Sequence, residues 1–117
     1  MTNTEATVQE NAGLELMIMQ VLSHPNCPEH LLEDAVNGMD AVECANVASN
    51  PSTPLGLLEK LTFNPSLIVR RHLAENPNCP ATIFEELLKV GHPEIYRTIA
   101  MNPNCPLEIR NKAIQQL

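Results

Sequence analysis

The chain has 117 residues and a net charge of −7 at pH 7, with one Tyr, two Phe and no Trp. One domain of this length holds a modest core, which Leu, Ile, Val, Ala and Met must fill. No apolar run approaches the roughly 18 residues of a membrane helix, and the N-terminus lacks the pattern of a secretion signal, so we expect a cytoplasmic protein with no membrane partner. Four cysteines in such a chain are more typical of reduced thiols than of disulfides.

A five-residue phrase recurs along the chain with a constant spacing of 26 residues. It reads Asn or His, Pro, a variable residue, Cys or Thr, and Pro. A fixed period of this length predicts stacked supersecondary units that bury a shared core. The four copies lie at 24–28, 50–54, 76–80 and 102–106.

The repeat divides the chain into a tail and one domain. Residues 1–13 are polar with little periodicity and are predicted to be a disordered acidic tail. A single helical-repeat domain follows over 14–117. It consists of a cap helix at 14–23, repeats at 24–49, 50–75 and 76–101, and a C-terminal half repeat at 102–117.

Each repeat is predicted to form two short helices. The first begins at the second Pro of the phrase, where the missing N–H costs nothing. The second begins after Asp40, Ser66 or His92, whose side chains can cap a first helical turn. The apolar spacing places a set of side chains toward the core. This set includes Leu31, Leu32, Leu57, Leu58, Ile83, Phe84, Ile109 and Ile114 on first helices, and Val42, Val47, Ile68, Val69, Leu73, Ile95 and Ile99 on second helices.

The phrase Asn-Pro-Asn-Cys-Pro, a Leu-rich first helix and a second helix of the Pro-Glu-Ile/Val-Arg type resemble the leucine-rich repeat variant family of bacterial proteins. The resemblance covers about residues 14–117. It implies an all-α, right-handed α-solenoid of about 3.5 two-helix repeats, with the second helix α or partly 3-10. It also implies an interaction module without enzymatic activity. The iron–sulfur cluster of the family's founder lies in a cysteine-rich segment, and residues 1–23 contain no Cys to match it.

The repeated cysteines support an alternative function. Cys27, Cys79 and Cys105 share one column of the repeat with Thr53, about 10 Å apart from unit to unit, which is too far for disulfides. We interpret them as buried residues at the start of a helix, and we expect no metal or cofactor. The alternative is a metal- or redox-responsive accessory protein, with iron–sulfur or zinc, that uses Cys27, Cys79 and Cys105. A separate candidate metal site is the local pattern His24-x-x-Cys27-x-x-His30, whose ligands suit soft or borderline metals.

Two charged columns carry the leading prediction. Because they repeat on exposed helix faces, we predict a non-enzymatic scaffold that binds another protein through stacked-helix ridges of charged residues. A simple solvated face is the competing interpretation. The candidate residues are Glu33, Glu59 and Glu85 on the first helices, and Arg70, Arg71, Arg97 and Tyr96 on the second.

Charge distribution bears on the remaining candidate partners. Residues 1–49 hold eight acids and no Lys or Arg, and this acidic half disfavours the second alternative, a nucleic-acid-binding helical repeat that uses the arginines. It suits a basic protein partner. The apolar residues Leu14, Leu16 and Met17 at the open end of the repeats are a candidate homodimer seam.

Overall fold

The computed structural model describes residues 13–14 and 16–117, and the predicted tail at 1–13 lies outside it apart from Gly13, which is helical. All regular structure in this part of the chain is α-helical, without a strand, as predicted. Helix α1 covers 16–23. Seven more helices follow: α2 (Glu29–Gly38), α3 (Ala41–Ser49), α4 (Leu55–Thr62), α5 (Leu67–Glu75), α6 (Ala81–Val90), α7 (Pro93–Met101) and α8 (Leu107–Gln115).

The helix starts keep the 26-residue spacing of the sequence. Helices α2, α4, α6 and α8 begin at 29, 55, 81 and 107, and helices α3, α5 and α7 begin at 41, 67 and 93. Among α2 to α8, extensive packing joins helices that lie one or two places apart in the chain. Each helix pair is therefore held mainly by the pairs next to it. The second helices α3, α5 and α7 are α-helices.

Each first helix begins one residue later than predicted. Pro28, Pro54, Pro80 and Pro106 are the N-cap residues, so the helix proper begins at the following position. The carbonyl of Pro54 accepts bonds from the amides of Leu57 at 3.0 Å and Leu58 at 3.2 Å. Proline suits this place because it has no N–H that the turn would leave unpaired.

Side-chain caps start two of the three second helices. Asp40 Oδ1 accepts hydrogen bonds from the amides of Val42 and Glu43, both at 3.0 Å, and His92 Nδ1 accepts one from the amide of Glu94 at 3.1 Å. The prediction is wrong at Ser66, whose hydroxyl makes no capping bond. Its turn is stabilised one step earlier, where Asn64 Oδ1 accepts from the Ser66 amide at 2.9 Å.

The core runs along the helices as one contiguous cluster. Val47, Leu73 and Ile99, at one position of successive second helices, have no exposed surface. Four predicted core residues are instead exposed, because each lies at the edge of its helix's apolar stripe, where one step along the helix turns a side chain by about 100°. These four are Leu31, Val42, Ile68 and Ile114. No helix in the described part of the chain has the length and apolar character needed to cross a bilayer.

Candidate functional site

Three buried asparagines account for the constant spacing of the phrase within the chain. They are here called the asparagine ladder: Asn50, Asn76 and Asn102. The side-chain amide of each donates to two backbone carbonyls that lie 28 and 26 residues earlier in the chain. Asn76 Nδ2 donates to Ala48 O at 2.7 Å and to Asn50 O at 3.1 Å. Asn50 reaches Leu22 O and His24 O, and Asn102 reaches Ala74 O and Asn76 O.

The ladder asparagines also shape their own turns. Asn50 Oδ1 accepts from the amide of Ser52 at 2.9 Å, and Asn76 and Asn102 bond the amides two residues ahead in the same way. His24 fills this column in the first phrase, where its Nδ1 accepts from the amide of Asn26 at 3.0 Å. His24 therefore has the turn function of the column. The sequence shows this column only as the first position of the repeated phrase, and the hydrogen bonds that its side chains donate are not predicted from it.

Arg110 is the donor to the next acceptor along the ladder, the carbonyl of Ala100. Its Nε donates to Ala100 O at 3.1 Å, and Ala48 O and Ala74 O are the corresponding acceptors of Asn76 and Asn102. Arg110 lies on α8 and is half-buried. A long side chain on α8 thus satisfies the carbonyl that a ladder asparagine satisfies elsewhere.

The four thiols are free and mostly buried. Burial raises the pKa of Cys79 to about 12, with the neighbouring Cys105 as a second cause. Burial also raises the pKa of Cys27 and of Cys105, and it raises the pKa of Cys44 together with the charges of Asp40 and Glu43. Since the thiolate is the nucleophile and the metal ligand, protonated buried thiols are poor at both tasks.

The candidate metal ligands do not converge. Among the residues that the structure describes, no group of three or more His, Cys, Asp and Glu side chains is placed to hold a metal ion. His24 and His30 are exposed while Cys27 is half-buried. The pattern His24-x-x-Cys27-x-x-His30 is therefore a sequence spacing without a matching ligand geometry.

Three carboxylates form an exposed acidic row, defined as Glu33, Glu59 and Glu85. They lie on α2, α4 and α6, at the same position of successive units, and all three are exposed. The ion pairs found within 13–14 and 16–117 do not use any of them. The row is consequently available to a binding partner.

The arginines differ from one another in availability. Arg97 is exposed, whereas Arg70 and Arg71 are half-buried. Arg71 lies 3.9 Å from the Glu75 carboxylate and 4.0 Å from that of Glu94. Of these three arginines, which look equivalent in sequence, Arg97 is the exposed one.

Tyr96 contacts the core, and the two predicted charged sets are not paired with each other. The Tyr96 hydroxyl donates to Leu88 O at 3.4 Å, and its ring is half-buried against the core. None of the ion pairs of the described residues joins the acidic row to Arg70, Arg71 or Arg97. The two predicted charged sets therefore lie on different helices and are not linked by these ion pairs.

An apolar groove opens at the N-terminal end of the fold, between α1 and the helices α2 and α3. Its volume is about 450 Å³, and an adjoining hollow of about 300 Å³ shares Ile18 and Glu43 with it. We call this pair of hollows the N-terminal groove. Its lining includes Leu14, Met17, Ile18, Val21, Leu31, Asp34, Val42 and Glu43.

The groove exists because α1 is apolar on more than one face. Of its side chains, Leu22 is buried, but Met17, Ile18 and Val21 are 62%, 42% and 42% exposed. Sequence analysis identified Leu14, Leu16 and Met17 at this end as a homodimer seam without detecting a groove. The sequence feature that could have predicted the groove is the run at 14–22, which has more apolar residues than one buried helix face requires.

Comparison of the chain with protein-family models, with curated proteins and with solved structures found no match.

Proposed function

We propose that the chain is a right-handed α-solenoid of the leucine-rich repeat variant type and acts as a non-enzymatic cytoplasmic scaffold that binds another protein. Helix starts 26 residues apart support the architecture, as does the asparagine ladder that ties each unit to the one before. In such stacks the units contact mainly their neighbours and present an extended surface for binding.

The observation that carries the binding proposal is the exposed acidic row. Three carboxylates at one position of successive helices, without ion pairs among the described residues, create a repeated negative potential. A basic partner surface with matching spacing gains in encounter rate and in register from such a row.

The two alternative functions have less structural support. A metal- or redox-responsive function needs thiolates, and burial raises the pKa of all four thiols. A nucleic-acid-binding function needs several cations on one surface, and Arg97 is the one exposed member of the set Arg70, Arg71 and Arg97.

A charge-reversal capture experiment tests the proposal. The immobilised protein captures partners from its native host, and the same capture uses a variant with Glu33→Lys, Glu59→Lys and Glu85→Lys. We expect the wild type to retain specific proteins and the variant to lose them, because the row then repels a basic surface. Quantitative mass spectrometry of the captured fraction is the measurement.

A matched variant controls for net charge. Glu29→Lys, Glu75→Lys and Glu108→Lys reverse three exposed carboxylates outside the row, so total charge changes equally. We expect this variant to retain the partners. Equal loss in both variants would show that overall charge, and not the acidic row, governs capture.

The exposed guanidinium of Arg97 tests the second predicted ridge separately. Arg97→Glu changes an exposed side chain and leaves the half-buried Arg70 and Arg71 untouched. If the second helices belong to the binding surface, this variant weakens capture of the same partners. Unchanged capture would confine the surface to the first helices.

A further inference from the structure

We propose that the N-terminal groove is a docking site for a basic amphipathic helix of another protein. The inference rests on the proposed scaffold function and adds a second surface and a partner class to it. The groove is distinct from the acidic row, since its lining comes from α1, the exposed edge of α2 and the start of α3.

The apolar part of the groove suits one face of a helix. Met17, Ile18 and Val21 line it at helical spacing and are largely exposed. Leu31 and Val42 extend the apolar surface on α2 and α3. Unbranched methionine side chains adapt to different apolar partners, and grooves of this kind receive helices through residues spaced three and four apart.

The rim of the groove selects the charge of its partner. Asp34 and Glu43 both line it, Asp34 being exposed and Glu43 half-buried. No Lys or Arg occurs in residues 1–49. A helix with Leu on one face and Lys or Arg on its flanks matches both the apolar floor and the acidic rim.

Charge also argues against two other occupants. A second copy of this chain would bring two surfaces together that each carry Asp34 and Glu43 and no base from residues 1–49, so like charges would meet. The chain's own segment 1–12 carries Glu5 and Glu10 and likewise contributes no Lys or Arg. A basic partner from outside fits better than either.

The test uses two labelled peptides of about 18 residues, long enough for about five helical turns. One peptide places Leu and Lys at helical period, and the other has Glu in place of every Lys. Fluorescence anisotropy with the full chain measures both affinities at low and at physiological salt. We expect the Lys peptide to bind, more weakly but still measurably at physiological salt, and the Glu peptide not to bind.

The variant Met17→Asp separates groove binding from simple charge attraction. It adds a negative charge, so a purely electrostatic interaction becomes tighter, whereas docking in the groove becomes about tenfold weaker because a charge then faces the apolar helix. Met101→Asp makes the same change at an exposed methionine on α7. We expect the Met101 variant to bind the Lys peptide at least as tightly as wild type.

Asp34→Lys provides a second variant that does not disturb the apolar lining. We expect it to weaken the Lys peptide severalfold and to admit the Glu peptide, while Glu108→Lys on α8, with the same change in net charge and outside both the groove and the acidic row, does neither. Circular dichroism verifies that each variant is folded, so that reduced binding reports on the groove.

Three results would overturn the inference: tighter binding of the Lys peptide by Met17→Asp, equal binding of both peptides, or a wild-type dimer in sedimentation that Met17→Asp dissociates. Partner capture that still depends on the acidic row would then leave the scaffold proposal standing. Conversely, groove binding together with capture that ignores the acidic row would overturn the charged-ridge proposal and keep the groove.

Discussion

At the residue scale, one side chain explains why the phrase repeats so regularly. Asn76 is 1% exposed, donates to the carbonyls of Ala48 and Asn50 and accepts from an amide of its own turn. A buried polar group is tolerated only when it is paired, and Asn supplies donor and acceptor together. Asp in this column would have no donors for those two carbonyls.

We predict that Asn76→Ala lowers the free energy of unfolding by about 3 kcal/mol, because it leaves the carbonyls of Ala48 and Asn50 without their side-chain donor. Urea denaturation measures the change. Asn78→Ala is the matched control, since Asn78 is exposed and donates to Pro51 O, and it should cost about 0.5 kcal/mol. Equal losses would mean that the ladder contributes little beyond the local turn.

A second prediction concerns the pH dependence that Cys79 causes. Its thiol has a pKa of about 12 in the folded chain, against an ordinary value of 9.0. The unfolded chain therefore releases this proton first as pH rises. Stability from Cys79 is fully present below pH 9 and is lost toward pH 12, by about 1.4 kcal/mol for each pH unit.

The measurement compares urea denaturation of wild type and Cys79→Thr between pH 8 and about pH 10.5, where Cys79 alone distinguishes their titration. Thr53 shows that this column accepts Thr, because its hydroxyl donates to Val47 O at 2.6 Å while buried. We expect the wild type to lose stability faster than the variant as pH rises. Parallel curves would contradict a raised pKa at Cys79.

At the scale of single helices, equivalent positions start their helices differently. Asp40 and Ser66 occupy one column with nearly the same backbone, at φ −70°, ψ 125° and φ −74°, ψ 127°. Only Asp40 caps its helix with its side chain. The backbone at Ser66 therefore has the conformation of a capping residue, but its hydroxyl makes no capping hydrogen bond.

Ser66→Asp is expected to raise the free energy of unfolding by about 1 kcal/mol, since a carboxylate there can accept from the first amides of α5 and favours a helix N-terminus. Ser66→Ala should change stability by about 0.3 kcal/mol or less, because the hydroxyl makes no capping bond. Thermal and urea denaturation of the three proteins provide the comparison. A destabilised Ser66→Asp protein would show that the column does not share one capping geometry.

The helices can be predicted from the sequence, whereas the contacts between units cannot. Periodicity and capping residues predict where α3 and α7 begin, since these signals are local. The side-chain amide of Asn76 donates to carbonyls 26 and 28 residues earlier in the chain. Local sequence patterns do not predict hydrogen bonds over such separations. Leu31 and Val42 fit the apolar spacing of their helices, which predicts that they lie in the core. Whether a residue at the edge of an apolar stripe is buried depends on the neighbouring helix, whose position the sequence alone does not give.

At the scale of the whole molecule, α1 to α3 differ in character from the rest. The N-terminal groove and the acids around it belong to this end, and every Lys and Arg of the chain lies beyond residue 49. The composition predicted this asymmetry of charge. It did not predict the apolar groove, which depends on the absence of a further packed helix against α1 among the described residues.

The proposed solenoid makes a prediction about length. Inserting a second copy of residues 50–75 after Glu75 preserves every column, so each ladder asparagine meets an equivalent acceptor. We expect helical content to grow in proportion to length and the midpoint of thermal unfolding to rise, because one more interface between units is added. Circular dichroism measures both, and a separate low-temperature transition would contradict the stacked architecture.

The asparagine ladder also has a direction. Every ladder donor lies C-terminal to the carbonyls that it bonds, 26 or 28 residues earlier. During synthesis, which runs from the N-terminus, each new asparagine therefore emerges when its acceptors have already been made. Each unit can therefore form its ladder hydrogen bonds as it leaves the ribosome, because its acceptors belong to residues that are already synthesised.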